Sequence, residues 1–73
     1  MAIPEMMPVS SSNVAELGYD SATQTVFVRF LDNRLYIYKN VPEGEYQGLL
    51  NAPSIGSYLH QNFKNVYAYE RLE

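Results

Sequence analysis

The sequence predicts an α+β fold: a small antiparallel β-meander of about three strands, then two short helices and a short C-terminal extended segment. Three observations carry this reading. Residues Thr25–Lys39 alternate β-branched and aromatic side chains on both sides of Asp32-Asn33, the pattern of a hairpin. Tyr46, Leu49 and Leu50 recur at helical spacing after Pro42. Ile55, Tyr58, Leu59, Phe63 and Val66 then form a second apolar stripe behind Ser54.

In chain order, residues 1–8 contain Pro4 and Pro8 and show no periodicity, so they read as a flexible N-terminal arm. Residues 9–73 read as a single domain. Asn13–Tyr19 alternates weakly and has the length of a first strand. Asp20-Ser21-Ala22-Thr23 is a turn, because Asp and Ser side chains bond their own backbone locally. A two-residue loop at Asp32-Asn33 would set Leu31 opposite Arg34, Phe30 opposite Leu35, Arg29 opposite Tyr36, Val28 opposite Ile37 and Phe27 opposite Tyr38. Side chains alternate along a strand, so this register sorts the hairpin into two surfaces. One carries Val26, Val28, Phe30, Leu35 and Ile37, which is plain core. The other carries Phe27, Arg29, Tyr36 and Tyr38, which is aromatic and cationic.

Pro42 ends the hairpin and suits a first helical turn, and Glu43 and Glu45 complement the helix dipole there. Pro53 ends that helix near Asn51-Ala52, since the residue before a proline avoids helical angles. Ser54 caps the next helix. Its polar side holds Gly56, Ser57, His60, Gln61 and Lys64. Val66–Leu72 alternates again and reads as a short extended segment.

Composition narrows the function. A chain of 73 residues is one small domain with a thin stability margin. It has no cysteine, so no disulfide supports it, and a single histidine excludes a structural zinc site. No metal and no cofactor is expected, and self-association as a homodimer would supplement so small a core. The net charge of −3 disfavours a role in gripping phosphate backbones. Met1–Glu5 has no basic start, and no apolar run is long enough to cross a bilayer, so the expected compartment is the cytoplasm and no membrane partner is expected.

Catalysis lacks an inventory. His60 is the only histidine and falls on the polar helix side, and Glu16, Asp20, Asp32, Glu43 and Glu45 show no paired motif spacing. Binding is better supplied. Tyr36 and Tyr38 with Arg29 and Phe27 form a candidate stacking or interface platform, since Tyr and Arg are favoured at interface centres. The alternative is that these rings pack beneath the arm or a final strand as a second small core. Ser11 offers a hydroxyl to a ligand, or else bonds its own turn. Ser54 and Gly56 open a helix where free amides attract anions, or else simply cap it. Tyr58 beside them completes the candidate set.

Taken in order, these segments resemble the KTSC domain, a small domain named after the C-terminal extension of some lysyl-tRNA synthetases. The matching pieces are Val9–Ser12, Gly18-Tyr19-Asp20, Val26–Phe30, Tyr36-Ile37-Tyr38, Val41-Pro42, Tyr46, Ala52–Tyr58 and Phe63–Tyr67. Pro53 and the glycine-free turn Asp32-Asn33-Arg34 depart from the pattern. The resemblance implies the architecture and transfers no established activity. The expectation is therefore a non-catalytic binding module that engages a protein partner, a second copy included, through its tyrosine-rich sheet face. The alternative is RNA, single-stranded nucleic acid or a nucleotide stacked on Tyr36 and Tyr38 with Arg29, which the synthetase context of the resemblance favours.

Overall fold

A computed structural model describes residues 3–73; Met1 and Ala2 of the expected arm lie outside the described residues. The strands are β1 (Met7–Pro8), β2 (Val14–Asp20), β3 (Thr25–Phe30), β4 (Leu35–Tyr38) and β5 (Tyr69–Arg71). They form one antiparallel sheet in sequential order, β1-β2-β3-β4-β5. The expected α+β meander is present, with five strands rather than three. The two extra strands are the shortest, two and three residues, and each borrows its regularity from a longer neighbour.

Helix α1 (Glu43–Leu50) begins after Pro42 and closes at Asn51, and it buries Tyr46 and Leu49. Helix α2 (Ile55–Tyr58) is capped by Ser54, whose Oγ accepts the Ser57 N–H. It runs into a π-helical turn, Leu59–Phe63, in which the Lys64 N–H donates to the Leu59 carbonyl at 2.9 Å. Both helices cover one face of the sheet. The core between them contains Leu17, Val26, Val28, Leu49, Leu59 and Phe63. Tyr19 stacks on Tyr46 at 4.9 Å, and its hydroxyl donates to the Val41 carbonyl at 2.6 Å, tying β2 to the start of α1.

The β3–β4 turn differs from expectation by one residue. Asn33 N–H donates to the Phe30 carbonyl and Phe30 N–H to the Arg34 carbonyl, both at 2.9 Å, so the loop is Leu31-Asp32-Asn33. Asn33 has φ 73°, the left-handed conformation that closes a three-residue hairpin loop. Asp32 Oδ1 accepts the Arg34 N–H and steadies the turn. The pairs become Val26 with Tyr38, Phe27 with Ile37, Val28 with Tyr36 and Arg29 with Leu35.

A slip of one residue carries every side chain of a strand to the other face. Tyr36 and Tyr38 therefore join Val26 and Val28 beneath the helices, while Leu35 and Ile37 join Phe27 and Arg29 on the far side. The expected division into an aliphatic and an aromatic face does not hold.

The far side has its own small core. Phe27, Leu35 and Ile37 are buried together with Met6 packed on them. The N-terminal arm makes this possible: Met7 and Pro8 pair with Leu17 and Glu16. Gly18 permits the approach, since a Cβ there would lie 2.5 Å from Met6 Sδ and 3.3 Å from the Glu5 carbonyl oxygen. Residues 3–8, expected as loose chain, thus include a strand and a seal over apolar rings.

Two outcomes test this account. Asn33→Ala should lower stability by about 1 kcal/mol, because alanine has the Cβ of asparagine without the short polar side chain that eases the left-handed conformation, whereas Asn33→Gly should be neutral in the same denaturant titration. Gly18→Ala should lift the arm, seen as faster proteolytic cleavage within residues 3–8 together with a lower unfolding midpoint.

Candidate functional site

The structure disperses the eight residues singled out from the sequence. Phe27 is fully buried beneath the arm. Arg29 sits on the same far side, where its Nη1 meets Glu73 Oε1 at 2.6 Å and the Asn33 carbonyl at 2.8 Å. Neither shares a surface with Tyr36 or Tyr38, so the four-residue platform does not exist. Phe27 follows the packing alternative, and the cause is the one-residue change in register.

Tyr36 and Tyr38 belong instead to an aromatic chain on the helix side. Phe30 meets Tyr36 edge-on at 5.5 Å, and Tyr36 and Tyr38 each lie 6.0 Å from Tyr69 of β5. Tyr38 also meets Phe63 edge-on at 5.3 Å. The helices cover one end of this chain and leave the other open. Tyr38 is 8% exposed, whereas Tyr69 is 60% exposed. Arg34 lies over the Phe30 ring at 5.5 Å and the Tyr36 ring at 5.9 Å.

Two hollows flank the first turn of α2. The larger, about 350 Å³, is lined by Ser10, Ser11, Ser12, Pro53, Ser54 and Ile55. The fold brings Ser11 and Ser54 to one place although 43 positions separate them (54 − 11). Their hydroxyls are engaged locally, however. Ser11 Oγ accepts the N–H groups of Asn13 and Val14, and Ser54 Oγ caps α2. The structural reading of both serines describes what they do here.

The smaller hollow, about 170 Å³, lies between the sheet and the π-helical turn. Asn13, Phe30, Tyr38, Gly56, Leu59, His60 and Lys64 line it. His60 and Lys64 are one turn apart, so both reach its rim. Gly56 and His60 lie on the polar helix side that the sequence predicts, while Lys64 follows the helix as an extended residue, and nothing in the sequence joins the three to Asn13 and Phe30. The spacing of Gly56 and His60 is legible; that this side faces Phe30 of β3 and Tyr38 of β4 is not.

Tyr58 points the other way, toward α1, and its hydroxyl donates to Glu45 Oε2 at 2.9 Å. Gly48 leaves room for that hydroxyl, which would lie 2.5 Å from a Cβ at position 48. Tyr58 is a tie between helices rather than part of either hollow.

Several phenols titrate above their ordinary value of 10.0. Burial, then the neighbouring Tyr36 and Tyr69, pushes Tyr38 up. Burial does the same to Tyr46. The hydrogen bond to the Glu45 carboxylate is the main cause for Tyr58. A folded-state pKa above the unfolded one means that the stabilising contribution is complete below the unfolded value and is lost as pH rises through the folded one. The thermal midpoint should therefore hold at neutral pH and fall once pH passes 10.0, and Tyr38→Phe should reduce that fall in a pH series of melting curves.

Comparison with known proteins bears on these features as a set. A family model described as the KTSC domain matches residues 10–67. A crystal structure of a KTSC domain protein from Yersinia pestis superposes with a TM-score of 0.90 at 28% identity, covering 94% of this chain and 97% of that one. An uncharacterized protein from Stutzerimonas stutzeri is 39% identical over 66 residues, 89% of this chain and 93% of its own length. A lysine–tRNA ligase from Trichormus variabilis is 38% identical over 72 residues, 99% of this chain. This chain spans only 13% of that ligase's length.

Proposed function

This chain belongs to the KTSC domain family, and from that premise we propose that it is a non-catalytic module that binds a protein partner by adding an extended segment of that partner to β5. The observation that carries the reading is the open edge of the sheet. Leu72 N–H donates to the Leu35 carbonyl and Lys39 N–H to the Ala68 carbonyl, so positions 68, 70 and 72 turn their backbone groups toward β4. By strand alternation Tyr69 and Arg71 turn theirs outward. An edge with free donors and acceptors is a template for another strand.

The side chains beside that edge suit a protein ligand. Tyr69 is the exposed end of the aromatic chain, and Leu72 and Val66 are exposed near it. The register puts Arg71 next to Tyr36 on the same face. A second copy is one such partner: antiparallel pairing centred on Glu70 would set Tyr69 opposite Arg71 across a two-fold axis. The non-catalytic part rests on His60, whose imidazole has no hydrogen-bonded acid or hydroxyl among the described residues to orient it as a base.

The cytoplasm is the compartment we assign. Among the described residues no helix is long and apolar enough to cross a membrane, and the chain is similar to part of a lysine–tRNA ligase.

Arg71→Pro tests the edge directly. It deletes an outward N–H while leaving the β4–β5 ladder intact, because proline is tolerated where the N–H faces solvent. Peptides enriched on the immobilised chain from a displayed library, or the dimer seen by sedimentation at micromolar concentration, should weaken at least tenfold in this variant. Enriched peptides or a dimer unaffected by Arg71→Pro would refute the edge, as would no enrichment together with a monomer at every concentration.

A further inference from the structure

The hollow of about 170 Å³ between the sheet and the π-helical turn joins core side chains, Tyr38 and Leu59, to polar residues, Asn13, His60 and Lys64, that neither the core nor the β5 edge requires. We propose that it is a nucleotide site: it takes one planar base, and the phosphate attached to that base rests on Lys64 and His60 at the rim. This goes beyond the protein-binding reading and uses a different surface, so either can fail without the other.

Four features of the lining point to that chemistry. The walls include aromatic rings, Phe30 and Tyr38, and base–aromatic stacking is tolerant of which base is present. Asn13 supplies a carboxamide: its Oδ1 accepts the Ser12 hydroxyl at 2.6 Å, and its amide N–H groups are donors for a base edge. The volume suits a base and leaves a phosphate outside. The cations there match what would remain outside.

The distribution of charge makes the last point specific. The chain carries −3 overall, yet no carboxylate lines this hollow. Arg29 and Lys39 are held by Glu73 and Glu70. Lys64 and Arg71 are in no ion pair among the described residues; Arg71 lies on β5 and donates its Nε–H to the Glu73 carbonyl oxygen at 2.9 Å, whereas Lys64 lines this hollow beside His60. Arg34, over the Phe30 ring, adds a second cation, although Asp32 shares it at 2.7 Å. An anion approaching this acidic domain meets Lys64 and Arg34 here, beside the half-buried Phe30 ring. Anionic and aromatic together describe a nucleotide.

The same chemistry arrives from two sources, a free mononucleotide or one residue of a single strand. Backbone-amide NMR titration of the full chain separates them. The probes are the four ribonucleoside 5′-monophosphates, a homopolymeric RNA tetranucleotide of each base, ribose 5-phosphate and a tetraglutamate peptide, at low and moderate salt.

The expected result is saturable shifts at Asn13, Phe30, Gly56, His60 and Lys64, weaker at higher salt because a phosphate contact releases counterions. Lys64→Glu, a change at an exposed position, should weaken binding at least tenfold with the folded spectrum preserved. Asn13→Ala should weaken nucleotides severalfold but leave ribose 5-phosphate unchanged. Monophosphates binding as tightly as tetranucleotides would identify the free metabolite as the source, and tighter tetranucleotide binding the strand. Shifts confined to β5, equal binding of ribose 5-phosphate or tetraglutamate, or no saturation by any probe would overturn the proposal.

Discussion

The left-handed conformation of Asn33 decides which rings this domain buries and which it shows. A type of turn that needs one residue at positive φ sets the β3–β4 register, and the register assigns Tyr36 and Tyr38 to the helix side. From there the consequences are steric. Tyr38 becomes a roof contact for Phe63, Leu35 and Ile37 are sent to the far side, and that side must then be covered. Had the loop been one residue shorter, the tyrosines would have met the arm and the leucine and isoleucine would have met the helices.

Covering the far side is the work of chain on both flanks of the meander. The arm lays Met6 across Phe27, Leu35 and Ile37, with Gly18 giving it clearance. The C-terminal residues bind from the opposite edge, where Leu35 and Glu73 exchange backbone hydrogen bonds and Arg29 reaches the Glu73 carboxylate. That ion pair is largely at the surface, so its own contribution is small. Its positional effect is larger, because it removes Arg29 from the cations available to a ligand. A domain of this length has little surplus stability, and two short edge strands add burial without adding a further layer.

The two faces of interest then differ in kind. The β5 edge offers backbone groups with an exposed tyrosine beside them, which suits an extended polypeptide. The hollow under the π-helical turn offers a carboxamide, rings and cations, which suits a small anionic aromatic group. The serine-lined hollow is different again, because its hydroxyls already serve the β2 entry and the α2 cap. This chain is similar to a segment spanning 13% of a lysine–tRNA ligase, while the Yersinia pestis structure shows the same fold over 97% of a separate chain.

Local chemistry was legible from the residues alone. Alternation located β2, β3 and β4, and Pro42 and Ser54 located the helix starts; of the expected stripe Ile55, Leu59 and Phe63 are buried, whereas Tyr58 turns to Glu45 and Val66, past the end of the helix, is 61% exposed. Absence of cysteine and the single histidine bounded the chemistry. These signals survive because each depends on neighbours within a turn or two. What the tertiary structure alone decided was pairing: a loop of three residues rather than two, an arm with a strand in it, and a hollow assembled from positions 13, 30, 38, 56, 60 and 64. Asp32-Asn33 is compatible with either loop length, and register is set jointly by the turn and by the sum of apolar contacts it places against the helices and the arm. That sum runs over the whole chain, so no local window of sequence contains it.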